Sequence, residues 1–312
     1  MTREGRGVDL VRGVSFTVMP GEILGLVGES GAGKSMMGTA VTGLLDRPLA
    51  ITAGEILYRG RRIDNLPPSE LRALRGRHIA TIFQDPLTAL NPVFSVERQL
   101  VETIEAHTPL RGPAARDEAV ALLARVGIPA PEKRLASYPH EFSGGMRQRV
   151  VIALALAGRP ELIIADEPTT ALDVSVQGQI IELLRDLCAE RGMAVILVTH
   201  DMGVIATLAH RVAVAYAGRI VEIGPVAEVV RHPRHPYTRG LMAAIPAIGT
   251  RLKRLTQIPG AMPRPDAVPP GCAFAPRCPL AEPRCSQGLP PDWVEGNHRA
   301  ACWRAGEGSD TR

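Results

Sequence analysis

One stretch near the N-terminus, GESGAGKS from Gly28 to Ser35, restricts the possible folds of this chain more than any other. It fits the pattern G-x-x-x-x-G-K-[ST], follows the apolar run ILGLV and precedes a run with helical character. Glycine has no Cβ, so the backbone amides of such a loop can curl around phosphate oxygens, and the next helix offers them its positive N-terminus. The alternative is an ordinary glycine-rich turn, and the flanking strand and helix argue against it. The stretch therefore predicts a phosphate-binding loop.

The last two residues of the loop indicate the chemistry of the ligand. Lys34 can pair with the β- and γ-phosphates of a nucleotide, and the Ser35 hydroxyl can ligate Mg²⁺. The loop also brings several backbone amides to the ligand. The residues predicted to contact the nucleotide here are Gly28, Glu29, Ser30, Gly31, Ala32, Gly33, Lys34 and Ser35.

An acidic pair follows a second apolar run, LIIAD at 162–166. Asp166 is predicted to hold Mg²⁺ directly or through water, and Glu167 to polarise the attacking water as general base. Such a pair also occurs as a simple cap at the end of a strand. The phosphate-binding loop in the same chain favours the catalytic interpretation.

Strands and helices alternate along residues 13–224. We expect two strands within GVSFTVMPGEILGLV, one each in LIIAD and AVILVTH, and two in RVAVAYAGRIVEIG, joined at Ala217-Gly218. Continuous apolar strands are buried on both faces, which is typical of a parallel sheet. The sequence therefore predicts an α/β fold with a mainly parallel sheet and a helical subdomain at about 88–158.

Composition and charge indicate where the chain is located and which partners it has. The longest apolar stretch, VVIALALAG near Val150, is far shorter than the roughly 18 residues that span a bilayer, and MTREGRGVDL lacks the apolar region of a signal peptide. We therefore expect the chain to stay in the cytosol. The net charge of +4 comes without a basic run that alternates with aromatic residues, which argues against a nucleic-acid partner.

Several motifs in a fixed order resemble the ATP-binding subunits of ABC transporters. Besides the phosphate-binding loop they are Gln84 in IFQDP, EFSGGMRQR at 141–149, DEPTTALD at 166–173 and His200 in VTHD. The resemblance implies an ABC-type P-loop domain that binds ATP with Mg²⁺. A closer resemblance to bacterial dipeptide and oligopeptide importers lies in FQDPLTALNP, HPYTRGLMAAIP and GCAFAPRCP. It implies an ABC ATPase domain at 1–230 and a peptide-importer extension at 231–312.

This resemblance implies roles for particular residues. Gln84 would contribute to the magnesium site, sense the γ-phosphate and couple it to a membrane partner, and His200 would contact the γ-phosphate. Ser143, Gly144 and Gly145 begin a helical run, and in the family this second anion site serves the ATP of a partner subunit. Asp173 would lie across that interface.

The resemblance also implies an assembly. The partners would be a second, related ATPase subunit, two transmembrane permease subunits and, indirectly, an extracytoplasmic solute-binding protein, with this chain peripheral on the cytoplasmic face of the inner membrane. Nickel or another small solute stays open as the cargo. An ABC-type ATPase that acts on DNA or the ribosome is a further alternative, opposed by the single ATPase unit and the lack of sustained heptads. Glu167 and His200 argue against an inactive binding module.

The resemblance implies an aromatic residue that stacks on adenine, upstream of the phosphate-binding loop. The only aromatic residue before Gly28 is Phe16, and GVSFTV predicts it as a core residue of a strand. The expectation is that the chain begins late relative to its natural form, with weak recognition of the base as the alternative.

Four cysteines lie close together near the C-terminus. Cys272, Cys278, Cys285 and Cys302 are separated by five, six and sixteen residues. Stable disulfides are not expected in the cytosol, and the gaps are wider than the C-x₂₋₄-C pairs of zinc sites. A bound ion or cluster could organise such an apolar-poor segment, with zinc and free thiols as alternatives to iron and sulfur. Related peptide-importer subunits carry a 4Fe-4S cluster here, so the resemblance implies one, in a structural role.

Overall fold

The computed structural model describes residues 7–169, 172, 174–244 and 257–307. Its strands are β1 Ile23–Val27, β2 Leu57–Tyr58, β3 Arg61–Arg62, β4 Ile79–Ile82, β5 Leu162–Asp166, β6 Ala194–Thr199, β7 Arg211–Tyr216, β8 Arg219–Pro225, β9 Asp292–Glu295 and β10 His298–Ala301. Its helices are α1 Lys34–Thr42, α2 Pro68–Leu74, α3 Pro86–Ala89, α4 Val96–His107, α5 Pro113–Arg125, α6 Pro131–Arg134, α7 Gly144–Leu156, α8 Val174–Arg191, α9 Met202–Leu208, α10 Val226–Arg231, α11 Pro236–Ala243 and α12 Pro283–Gln287. None of these helices is long and apolar enough to cross a membrane.

The main sheet of the described chain has the strand order β4-β5-β6-β1-β7-β8-β10-β9. The strands from β4 to β7 are parallel, and the remaining pairs are antiparallel. The β7–β8 hairpin turns at Ala217 and Gly218, both with positive φ, which suits a two-residue turn. The mainly parallel sheet predicted from the apolar runs is therefore confirmed.

The central strand β1 is buried on both faces. Ile23 and Val27 pack into a core cluster that includes Leu100 of α4 and Val150 of α7, whereas Leu24 and Leu26 pack into a second cluster with α1. Alternate side chains of a strand point to opposite faces, so helices must cover both sides of a strand that is apolar throughout. This burial fixes the position of the loop that follows Val27.

The first of the two strands predicted within 13–27 is not formed. Val14, Phe16 and Val18 are half-buried and alternate with exposed residues along an extended segment, but no strand of the described residues pairs with it. Arginine side chains satisfy its carbonyls instead: Arg299 Nη2 donates to Ser15 O and Arg211 Nη1 to Thr17 O, each at 3.2 Å. Phe16 packs against the core, as the sequence predicted.

The C-terminal lobe, defined here as residues 257–307, extends the main sheet instead of forming a separate one. Its hairpin β9–β10 pairs with the free edge of β8 through Arg299 and Ala300. Phe274 of the lobe is buried and contacts Tyr216 and Tyr237 with ring centroids 5.3 Å and 5.4 Å apart. An apolar-poor segment thus gains a core by packing against the rest of the chain.

A buried carboxylate joins three parts of this region. Glu222 of β8 accepts from the backbone N–H groups of Arg234 at 2.7 Å and His235 at 3.0 Å. Its Oε1 also lies 2.7 Å from Nε2 of His298 in β10, and both side chains are almost completely buried. The carboxylate therefore ties β8, the start of α11 and the terminal hairpin together.

Candidate functional site

The sequence-predicted polar residues lie at the carboxyl ends of neighbouring parallel strands. Gln84 follows β4, Glu167 follows β5 and His200 follows β6, while the phosphate-binding loop follows β1. These four strands are adjacent in the sheet, in that order. Open α/β sheets bind ligands at this edge, so the topology alone brings the predicted residues together.

Two glycines of the loop are required by its geometry. A Cβ at Gly28 would collide with the carbonyl oxygen of Ala215, because the loop passes directly over β7. Gly33, the residue before α1, has φ 94°, in the region that favours glycine. The loop therefore approaches the sheet closely and turns sharply into α1, whose N-terminus faces the site.

Lys34 folds back across the loop. Its Nζ donates to Gly28 O at 2.8 Å and to Glu29 O at 3.1 Å, and the residue is only 6% exposed. Burial lowers the pKa of this ammonium group, while the carboxylates of Glu167, Asp166 and Glu29 oppose that change. The cation is thus held at the centre of a site whose other charges are negative, where it can meet phosphate oxygens.

Ser35 and Asp166 meet on the opposite side of the loop. Ser35 Oγ donates to Asp166 Oδ1 at 3.2 Å. Burial raises the pKa of Asp166, and the hydrogen bond from Ser35 opposes the change. A hydroxyl and a carboxylate side by side, next to a phosphate-binding loop, offer the oxygen ligands that Mg²⁺ takes from a protein when it also binds phosphate.

Glu167 connects the residues that follow β4 and β6. Gln84 Nε2 donates to Glu167 Oε2 at 3.1 Å, and His200 Nδ1 lies 3.3 Å from Glu167 Oε1. Glu167 has a left-handed φ of 46°, and its N–H is fixed to Val198 O at 2.9 Å. A non-glycine residue held in this region is strained, a condition that clusters at functional sites. The carboxylate is oriented by its neighbours and can accept a proton from a water.

The segment Ser143–Gly145 forms the N-terminus of α7, as predicted. Ser143 Oγ accepts from Met146 N at 3.3 Å as an N-cap, and both Ser143 and Gly144 are exposed. No hydrogen bond of the described residues joins this segment to the phosphate-binding loop. It stands as a separate exposed helix terminus. Asp173, predicted to lie across a subunit interface, falls outside the described residues.

The sequence did not reveal how strongly the C-terminal lobe engages the phosphate-binding loop. Arg277 forms a two-pronged ion pair with Glu29, Nη1 to Oε2 at 3.0 Å and Nη2 to Oε1 at 3.2 Å. The Glu29 N–H also donates to Tyr237 Oη at 2.9 Å. The sequence feature that could have predicted this contact is Glu29 itself, because an acidic residue in an anion-binding loop needs a cation nearby to neutralise it.

The four predicted cysteines line one cavity together with His235, Phe274 and Trp303. Burial raises the pKa of Cys272 to about 11, and the other three thiols add to the shift, because a second negative charge nearby is unfavourable. Burial likewise raises the pKa of Cys278 and of Cys302. The thiols therefore interact electrostatically across one shared space, whereas Cys188 is buried in the core and donates to Met193 O.

Two observations describe what this cavity could hold. No three His, Cys, Asp or Glu side chains in the described part of the chain are placed to hold one metal ion. Trp303, next to Cys302, has a buried indole nitrogen without a hydrogen-bond partner among the described residues. A buried N–H donor without a partner is costly, so an acceptor in the cavity would stabilise it.

Two protein families match successive parts of the chain. Residues 11–170 match the family described as ABC transporter, and residues 221–285 match the oligopeptide/dipeptide transporter C-terminal region. The first match contains the phosphate-binding loop, Gln84 and the acidic pair. The second contains Glu222, Arg277 and three of the cysteines.

Similar proteins give the same result. A putative peptide import ATP-binding protein of Brucella abortus is 47% identical over 299 residues, covering 96% of this chain and 90% of that protein. The dipeptide transport ATP-binding protein DppD of Bacillus subtilis is 46% identical and covers 97% and 91%. Among solved structures, the dimeric ATP-binding cassette MJ0796 bound to ADP and Pi is 28% identical, covers 72% of this chain and 94% of its own, and has a TM-score of 0.65. The chain belongs to the ATPases of the ABC transporter family and carries the C-terminal region of oligopeptide/dipeptide transporters.

Proposed function

We propose that this chain binds and hydrolyses ATP to drive the import of di- and oligopeptides, as a peripheral subunit on the cytoplasmic face of the inner membrane. The observation that carries the proposal is the meeting of Lys34 and Ser35 with Asp166 and Glu167 at one edge of the sheet. The C-terminal match and the names of the relatives support a peptide as cargo.

The residues divide the work of phosphoryl transfer. Lys34 and the loop amides bind the phosphates, and Ser35, Asp166 and Gln84 would hold Mg²⁺. Bound Mg²⁺ neutralises charge on the transferring phosphate. Glu167 orients water and accepts its proton, while His200 stabilises the γ-phosphate charge. Phosphoryl transfer depends more on the positioning of phosphate, water and charged groups than on covalent chemistry. Its rate is therefore controlled by whether all these groups are in place.

Completion of the site is proposed to require a second ATPase subunit of related sequence. The exposed segment Ser143–Gly145 would bind the nucleotide of that partner, and Asp173 would lie across the shared interface. We propose the division into an ATPase domain at 1–230, with its helical subdomain at about 88–158, and an extension at 231–312. Closure of the two ATPases would then move two permease subunits, which receive cargo from an extracytoplasmic solute-binding protein.

Cargo is tested by uptake in a host strain that lacks its own peptide and nickel importers. The chain is co-expressed with its permeases, partner ATPase and binding protein, and uptake of a radiolabelled dipeptide, a tetrapeptide and ⁶³Ni²⁺ is measured. We expect peptide uptake that depends on this chain, with unlabelled peptide as competitor. Uptake of Ni²⁺ without peptide would contradict the proposed cargo.

We also propose that Cys272, Cys278, Cys285 and Cys302 hold a 4Fe-4S cluster. The proposal is supported by the four thiols that line one cavity and by the buried Trp303 N–H, which has no acceptor among the described residues. Arg239 and Arg304 favour the thiolate forms of Cys302 and Cys278, respectively. A bound cluster would supply a rigid centre for a lobe with few apolar residues.

Removal of one ligand tests this cluster. Chain purified without oxygen should be brown and hold about four irons, and Cys278→Ser should lose most of that iron because four thiolates are needed. The matched control Cys188→Ser, in the core, should keep it. Colourless protein with one zinc would contradict the cluster, and metal-free protein with an intact lobe would contradict any metal centre.

A further inference from the structure

The phosphate-binding loop carries one acidic side chain, Glu29, and its carboxylate is held by a residue of the C-terminal lobe. Arg277 holds both carboxylate oxygens, and Tyr237 Oη accepts from the Glu29 N–H. Glu29 and Arg277 are separated by 248 positions in the sequence. A two-pronged arginine–carboxylate pair fixes orientation as well as charge, so the lobe determines how this side chain sits.

Arg277 is itself fixed by its surroundings. Its side chain is only 6% exposed, Nε donates to Pro259 O at 2.8 Å, and Nη1 also donates to Tyr216 Oη at 3.2 Å. It stands directly before Cys278, in the short loop that begins at Cys272. The position of the guanidinium therefore depends on how the cysteine loop is held.

The charge of Glu29 matters to the nucleotide site. Glu29 lies beside Lys34, the cation of the loop, whose Nζ donates to the backbone oxygen of Glu29 at 3.1 Å. A bare carboxylate here would compete with phosphate for Lys34 and repel the anionic ligand. The Arg277 guanidinium neutralises the Glu29 carboxylate and occupies both of its oxygens, so that the carboxylate no longer competes with phosphate for Lys34.

We propose that Arg277 is a positioning residue for nucleotide binding, which acts from the C-terminal lobe by neutralising Glu29 in the phosphate-binding loop. The proposal rests on the nucleotide site described above and on no property of the cargo. In this proposal the C-terminal lobe has a function at the ATP site. When the cysteine loop is ordered, Arg277 stays paired with Glu29 and the phosphate-binding loop can bind phosphate. A displaced cysteine loop leaves an unpaired carboxylate beside Lys34.

The test is the affinity of the full chain for AMP-PNP with Mg²⁺, measured by calorimetry. Arg277→Met should weaken binding by about tenfold, the size expected for one lost charge-assisted pair. Arg277→Lys keeps the charge and should stay within about threefold of the unmodified chain. The double variant Arg277→Met with Glu29→Gln should recover most of the loss, because the repelling charge is removed as well. Arg299→Met, which removes a lobe arginine that contacts Ser15 instead, is the matched control.

Recovery in the double variant separates this role from a structural one, since a merely loosened fold would bind no better after a second substitution. Unchanged affinity of Arg277→Met, or a double variant as weak as the single one, would overturn the proposal. If Arg277→Met does not fold, Arg277→Gln takes its place: binding about tenfold weaker that Glu29→Gln restores supports the proposal, and unchanged affinity overturns it. These measurements need neither permease nor peptide, so a wrong cargo would leave their outcome unchanged.

Discussion

Glu167→Gln should reduce ATP hydrolysis by the assembled transporter by a factor of about 10²–10⁴, the range typical for loss of a general base. The amide keeps the shape of the side chain and its contact with Gln84, but it cannot accept a proton from water. ATP should still bind, because Lys34 and the loop amides are untouched. Subunits that bind ATP without hydrolysing it should remain closed on each other, so the rate of the whole complex falls. The two quantities to measure are the rate of phosphate release and the amount of nucleotide that stays trapped in the complex.

The matched control is Glu102→Gln, which changes an exposed carboxylate of α4 paired with Arg98 at 2.7 Å. Its hydrolysis rate should equal that of the unmodified protein, because surface ion pairs contribute little. Wild-type phosphate release by Glu167→Gln would show that another group takes the proton. Loss of trapped nucleotide together with hydrolysis would show that Glu167 serves binding instead.

Glu222→Ala should destabilise the chain by about 3–5 kcal/mol, because several buried groups lose the carboxylate that they contact, at roughly 1–3 kcal/mol for each group left unsatisfied. The substitution leaves the N–H groups of Arg234 and His235 without their acceptor, and it removes the carboxylate that contacts His298. The terminal hairpin should detach from β8 first. Thermal unfolding gives the size of the effect, and hydrogen exchange of residues 292–301 gives its place.

Glu295→Gln is the control for this prediction. It also alters a glutamate paired with Arg234 in the same region, but the Glu295 side chain is 69% exposed. We expect it to change stability by less than about 1 kcal/mol. Equal melting temperatures for Glu222→Ala and the unmodified chain would mean that the buried carboxylate does not hold the hairpin.

The sequence indicated the phosphate-binding loop and the strands around it because the information for these elements is local. Gly28 to Ser35 define a loop by spacing alone, and the apolar runs before Asp166 and His200 identify buried strands whose ends must meet in a parallel sheet. What spacing could not predict was the hydrogen bonding of Glu167 to Gln84 and His200, which depends on adjacent strands being β4, β5 and β6. Strand order is a property of the whole fold.

The C-terminal lobe was the harder part. The sequence predicted an extension at 231–312, but it did not indicate that β10 pairs with β8 or that Phe274 completes an aromatic cluster with Tyr216 and Tyr237. Contacts between residues so distant in sequence leave no periodic signal. The extended segment around Phe16 failed as a strand for a related reason: its pattern was correct, but a strand also needs a neighbour, and arginine side chains took that place.

Whether ATP hydrolysis at this site drives peptide import can be measured in proteoliposomes. The chain is reconstituted with its partner ATPase and permeases, with ATP supplied on the side of the ATPases and binding protein loaded with radiolabelled dipeptide on the other. We expect ATP-dependent transport of peptide that fails with AMP-PNP and with the Glu167→Gln chain. Peptide transport at the full rate by the transporter that carries Glu167→Gln would contradict it.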